Sequence, residues 1–539
     1  MARTLTGRGA LTPRTVHGNV WATALRAGLS VTLALGALYA LGRVDLIPYA
    51  AMGCFTALYA RDETYARRRR LLAVVGAALT ASVAAGALTQ VLLAHTLAAV
   101  VTGALVAGGA KYLADALAFG PPGGLMFVFA AGVAAYNPLE AAQVPLVVAT
   151  TAGAAALSWS LAQVGALAWA HAPERLATAR ALHAVARHLR APGPATTDGA
   201  EEALETAWST LLSAREPGPL HRDLELLTAR AEDLFTGAHS DLERARAGAE
   251  LGEMARRARR EVRPQPALSS GEHRTFTDRA HRMRTHHPVP AMGRALRRAW
   301  RRPSPTRVSV VRIVVASLVA GAAAWALGMG HGYWAAVSAG SVLQATNVTT
   351  TWHRTLQRAA GTVAGVVLAA ALFWTDYSVL GTIALVVVLQ MAAELVVGTN
   401  YSYAIVFVTP LTLALSSLAH PAAAAQDLAG ERLWATVLGA LVGLVVCALL
   451  PNRTAAEHLE QARAECEVCC ARFAQGQGPH QRRRLGRSVV ALARARDLAR
   501  GEFGVCPGHL ERAGATLERA RCLAGPARGT GDAQHAGHP

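Results

Sequence analysis

Residues 312–336 read RIVVASLVAGAAAWALGMGHGYWAA, and residues 26–51 read RAGLSVTLALGALYALGRVDLIPYAA. Each stretch opens on an arginine, stays apolar to a Leu-Gly pair, and restarts at a tyrosine followed by small residues. A membrane-spanning helix needs roughly 20 mostly apolar residues to cross about 30 Å of hydrocarbon. Beyond the first stretch comes a cationic patch, Arg67 to Arg70, and another apolar run. Beyond the second, Arg354 and Arg358 lead into Gly361-Thr362 and a further apolar run. One unit is used twice, about 285 residues apart. Many transporters are built from paired membrane halves with the site between the repeats.

Composition agrees. Of the 539 residues, 52% are hydrophobic and 16% charged, which is poor in charge for a soluble protein. Long apolar segments occur at 22–41, 71–93, 144–169, 379–397 and 433–450. The formal net charge is +18, and Lys111 is the only lysine. The arginines gather at the N-terminus, at Arg67 to Arg70, across 172–306 and after Pro451, outside the apolar runs. That distribution is the positive-inside bias, with anionic lipid headgroups as counterions, and it argues against a nucleic-acid partner. A polar N-terminus precedes the first apolar run without a cleavage motif, so the first segment is expected to stay.

Placing the N-terminus in the cytoplasm sends every basic loop inside after an even number of crossings. The expected fold is therefore all-α and polytopic, two parallel six-helix repeats with about 12 spans. A cytoplasmic N-terminus (1–20) precedes the first half (21–170). A cytoplasmic helical region with a basic linker (171–306) separates it from the second half (307–451), and a cytoplasmic helical tail (452–539) follows. Segments near 46–60, 125–136 and 333–346 are short for a full span, as in tilted, broken or re-entrant helices. Apolar residues at helical spacing, such as Leu204, Leu211, Leu224 and Leu227, predict a helical hairpin or small bundle after the first half. From Arg263 to Pro305 the composition predicts a mobile linker on lipid headgroups.

No nucleotide cradle, nucleophile elbow or zinc-protease helix is present, so neither catalytic residues nor a cofactor are expected. Cys466-x-x-Cys469-Cys470 lacks the partners that would complete four metal ligands, and no metal site is expected. Polar groups inside apolar segments carry more meaning, because a charge near the bilayer centre costs on the order of 2.5–3.5 kcal/mol. Gln390 and Glu394 share a helix face near the inner end of their segment. Asn400 and Tyr401 follow, then Thr409-Pro410, where a proline frees a backbone carbonyl. This set reads as a polar pocket at a broken helix, or Glu394 is an interfacial carboxylate that pairs with a loop arginine. Arg354 and Arg358 share a face at a cytoplasmic mouth, where they draw anions inward or anchor the helix. Tyr333-Trp334 lies near an interface, as belt aromatics or as a stacking surface for an aromatic ligand. Lys111 and Asp115, four apart, form a structural pair.

From Tyr333-Trp334-Ala335-Ala336 through Arg354, Arg358 and Gly361-Thr362 to Glu394, Asn400-Tyr401 and Thr409-Pro410, the second half resembles the fusaric acid resistance family, which includes aromatic acid exporters. The resemblance is weaker over about 20–170, where Tyr49 lacks a following Trp and Gly76-Ala77 replaces Gly-Thr. It implies an inner-membrane efflux protein of two hexahelical halves. The expected function is proton-motive-force-driven export of small aromatic or amphipathic organic anions. Glu394 would be the coupling or gating carboxylate, with Gln390, Asn400, Tyr401, Thr409, Pro410, Tyr333 and Trp334 near the pocket and Arg354 and Arg358 at the mouth. An uncoupled anion channel or uniporter and a non-transporting scaffold are the alternatives. Expected partners are an organic anion and a bilayer with anionic lipids; homo-oligomerisation stays open.

Overall fold

The computed structural model describes residues 20–524, apart from 214–217, 238–239, 261–268, 287–291, 302–303, 345–346, 420–424, 453, 477–478 and 503–504. The expectations for the N-terminal 19 residues, the loop from His420 and the end of the tail fall outside them.

Twelve helices form the apolar body. The first six are α1 (Val20–Ala40), α2 (Ile47–Cys54), α3 (Tyr65–Leu93), α4 (Thr96–Leu117), α5 (Leu125–Tyr136) and α6 (Val144–Ala168). Between them and the second six lie α7 (Ala172–Arg190), α8 (Pro194–Leu212), α9 (Pro219–Thr236), α10 (Asp241–Arg260), α11 (Ser270–His286) and α12 (Met292–Trp300). The second six are α13 (Pro305–Ala326), α14 (Tyr333–Val342), α15 (Val348–Leu372), α16 (Val379–Val396), α17 (Tyr401–Ala419) and α18 (Ala425–Leu449). The chain continues in α19 (Thr454–Gln475), α20 (Pro479–Arg500) and α21 (Pro507–Ala524), and no strand occurs among the described residues.

Nine helices among the described residues are long and apolar enough to cross a membrane. The helices at 47–54, 125–136 and 333–342 are short, with 8, 12 and 10 residues. At about 1.5 Å per residue even the longest of these spans only about 18 Å. All three are nearly or fully buried, so the helices too short to span are shielded by longer neighbours. Side chains fix several starts. Asn347 accepts from the Thr350 amide at 2.9 Å in a capping box that opens α15, and Ser378 accepts from Gly381 at 3.2 Å to open α16. The cationic patch at Arg67 to Arg70 belongs to the first turns of α3, which Thr64 caps, rather than to a loop.

The packing order within α1–α6 recurs within α13–α18. The second helix packs on the sixth and the third on the fifth and sixth in both sets. Across the sets, α1 packs on α16 and α13 on α4, while α5 meets α14 and α2 meets α17 at the centre. Two smaller cores stand beside this body. One, around Leu182, Leu211, Leu224 and Leu251, joins α7, α8, α9 and α10. The other, around Leu459, Leu485, Leu492 and Leu517, joins α19, α20 and α21, with Cys466 and Cys470 buried as small apolar residues on one face of α19.

The stretch 263–305 differs from its expectation: where described, it is mostly helical. Met292, Ala295 and Leu296 fall at helical spacing and pack against the apolar body, and Tyr112 donates to the Leu296 carbonyl at 2.8 Å. In α11, Phe276 is buried with Trp208 and Leu226. A few apolar residues at the right spacing suffice to seat a basic helix, which overall composition does not reveal.

Candidate functional site

A group of cations lies inside the second set of helices. Arg358 stands ten residues into α15, about 15 Å from its start, and is 3% exposed. It donates to Ser338 Oγ at 2.9 Å and to the Tyr401 hydroxyl at 3.1 Å. One turn earlier, the Arg354 guanidinium sits over the Tyr401 ring at 5.4 Å. From α18, Arg432 is 5% exposed and lies over the Trp334 ring at 4.9 Å. Among the described residues none of these three arginines forms an ion pair. The nearby Glu431 is committed to the turn before α14, accepting from the Gly330 amide at 2.5 Å and meeting His331 Nδ1 at 2.6 Å.

Such cations cost free energy unless something compensates them. Phenol, indole and hydroxyl groups compensate in part, through cation–π contacts and single hydrogen bonds. The Nε atoms of Arg358 and Arg432 and the Trp334 indole nitrogen nevertheless find no acceptor. Unused donors and positive charge beside aromatic rings are the elements of a site for an aromatic anion.

Glu394 belongs to a different place. It lies in the seam where α16 packs on α1, and its Oε2 approaches Arg61 Nη2 at 2.8 Å. The contact is ionic rather than a well-aligned hydrogen bond, because that oxygen accepts no directed N–H. Arg61 is a loop arginine, so the pairing alternative read from the sequence matches the geometry. Arg26 shares the seam, holding the Ala57 carbonyl at 2.7 Å and the Tyr59 carbonyl at 3.3 Å. The carboxylate thus ties the second set to the first.

At the centre, α2, α5, α14 and α17 enclose a small cleft lined by Pro48, Met52, Phe129, Tyr136, Tyr333 and Ser416. The Tyr136 and Tyr333 rings stand 5.1 Å apart, and His331 stacks on Trp334 at 5.3 Å.

The remaining expected site residues sort by role. Tyr401, Arg354, Arg358 and Trp334 gather in the cation cluster, and Arg358 lies deeper than a mouth position. Gln390 is buried one turn before Glu394. Asn400 caps α17, accepting from the Ser402 amide and hydroxyl at 2.9 Å each. Helix α17 runs unbroken through Pro410, which corrects the expectation of a broken helix there. Thr409 donates back to the Ile405 carbonyl at 2.9 Å and packs against Gly365, where a side chain would collide with it. Lys111 and Asp115 pair at 2.8 Å, as read. Arg432 escaped the sequence reading because it sits at the border of an apolar segment.

Residues 318–446 match the family described as fusaric acid resistance protein-like. A relative, the Uncharacterized membrane protein YvaC of Bacillus subtilis (strain 168), is 27% identical over 526 residues, covering 90% of this chain and 82% of its own length. No solved structure matches. The matched segment contains the whole cation cluster and Glu394, whereas Arg61 and Arg26 lie outside it. Nine long apolar helices and a membrane-protein relative make this a multi-pass membrane protein.

Proposed function

We propose that the protein is a secondary exporter of small aromatic or amphipathic organic anions across the inner membrane, driven by the proton motive force. In this reading two parallel six-helix repeats, 21–170 and 307–451, cross the bilayer about 12 times in all. Both termini and both helical bundles face the cytoplasm. The observation that carries it is the trio Arg354, Arg358 and Arg432, the last two buried, which has aromatic neighbours and, among the described residues, no carboxylate partner. The carboxylate of an aromatic acid supplies the missing counter-charge while its ring stacks among Tyr401, Trp334 and Tyr333. Glu394 acts as the coupling group. A proton on it cancels the attraction to Arg61 and loosens the seam between repeats at one end. The demand is modest, since one charge crossing 100 mV yields about 2.3 kcal/mol, roughly a 50-fold gradient.

The test is efflux of a panel of aromatic carboxylates from proteoliposomes with and without an imposed pH gradient. Coupled export requires that Glu394→Gln remain folded yet lose the response to the gradient. Flux that ignores the gradient in both proteins replaces coupling with a uniporter. Absence of flux for every anion tested removes the transport reading.

A further inference from the structure

A second cluster of chemically competent side chains lies outside the apolar body, where α6 hands over to the first bundle. His171 is the N-cap of α7 and Glu174 lies in its first turn. His221 comes from the first turn of α9. One ligating atom from each of the three lies within 4.8 Å of the others. The His221 Nε2 to Glu174 Oε1 separation is 3.8 Å, and the two imidazoles meet edge to face at 5.0 Å. Glu174 and His221 are 5% and 4% exposed, and Oε2 of Glu174 is buried with no hydrogen-bond partner. A carboxylate oxygen left unsatisfied at that depth costs on the order of 1–3 kcal/mol, which calls for an occupant.

We infer that His171, Glu174 and His221 form a three-ligand site for a divalent first-row transition ion, of the Zn²⁺ class. Two imidazole nitrogens and one carboxylate match the ligand chemistry of that class, with a fourth position open to water. Ligands on a tetrahedral zinc sit roughly 3.4 Å from one another, so closure requires side-chain movements on the order of 1 Å. His171, partly exposed at a helix start, has room for them. An anion is the weaker occupant even though two helix N-termini converge here, because Glu174 repels it. The ion would fasten α7 to α9 directly after the last helix of the first set, fixing the angle between membrane body and bundle.

The full-length protein in detergent, stripped with chelator, is to be titrated with Zn²⁺ and separately with Co²⁺. The expected result is one tight equivalent, a raised melting temperature and visible d–d absorption with Co²⁺. Glu174→Gln and His221→Gln should weaken that equivalent at least a hundredfold and remove the absorption. His171→Asn, at the most exposed ligand, repeats the test with least risk to the fold. Retention of the same tight equivalent in a folded variant overturns the proposal by placing the ion elsewhere, for instance on the α19 cysteines. Failure of the wild type to bind Zn²⁺ also overturns it.

Discussion

Arg358 shows how a residue can be kept at the expense of stability. It is almost wholly buried, makes two neutral hydrogen bonds and, among the described residues, pairs with no carboxylate. Replacing a buried, poorly compensated charge by an apolar group of similar volume is often neutral or stabilising, by about 1–4 kcal/mol. Arg358→Met should therefore leave the melting temperature in detergent unchanged or raise it, while aromatic-anion binding, followed by the fluorescence of neighbouring Trp334, weakens at least tenfold. A drop of more than about 2 kcal/mol in stability with binding intact would make Arg358 a structural anchor. This contrast also explains what could be read from sequence. Arg354 and Arg358 stand out in the sequence as a pair on one helix face, but their place at a cytoplasmic mouth is an expectation that the depth of Arg358 does not match. The partner of Glu394 was not legible: Arg61 sits in the other half of the chain, and no local pattern connects the two.

Helices were more legible than sites. The three short segments fall where the sequence places them, because Gly, Pro and Asn punctuate them and apolar runs of that length are countable. The basic stretch at 270–300 was lost because net charge masks a narrow apolar stripe, and the His171-Glu174-His221 cluster because its members lie on two helices. Between elements, charge decides a further contact. On α8, Asp198 meets Arg521 at 2.8 Å, Glu205 meets Arg487 at 3.3 Å and Glu202 meets Arg494 at 3.9 Å. These exposed pairs join the two bundles and are weakened by salt. Among them, burial pushes the Glu201 carboxyl up to about 7, while Arg521 draws it down and Asp198 pushes it up. A carboxyl raised on folding contributes fully below its unfolded value near 4.5, loses that contribution as pH climbs, and penalises the fold above about 7. Melting curves from pH 5 to 8 should thus show the bundles loosening with rising pH. Glu201→Gln should flatten the profile and add about 1–2 kcal/mol at pH 8, after allowing for partial solvent access. An unchanged profile would show that Glu201 titrates at its ordinary value.

At the scale of the whole molecule, a buried ion pair bolts the last bundle to the apolar body. Arg312, near the start of α13, donates to both carboxylate oxygens of Glu502 at 2.8 Å each and to the Leu450 carbonyl at 2.7 Å. The neighbouring Gly501 presses against Asn347, leaving no room for a side chain. Both charged groups are buried, so removing only one strands the other at a cost of about 3–5 kcal/mol. Glu502→Ala should free the C-terminal helices, detectable as faster proteolysis between α18 and α19 and a lower melting temperature. The double change Arg312→Met with Glu502→Ala should recover much of the loss. Equal sensitivity of single and double variants would show that the pair is not what holds the bundle.

The crossing of α1 onto α16 also bears on how such a chain comes into being. On a ribosome adding about 5–20 residues per second, the first helix enters the membrane tens of seconds before its partner exists. During that interval Arg26 and Arg61 have no Glu394 to meet, and the apolar face meant for α16 must rest against lipid or insertion machinery. The seam between α1 and α16 therefore closes only after the second set has been made, although α1 can already rest on α2 and α6.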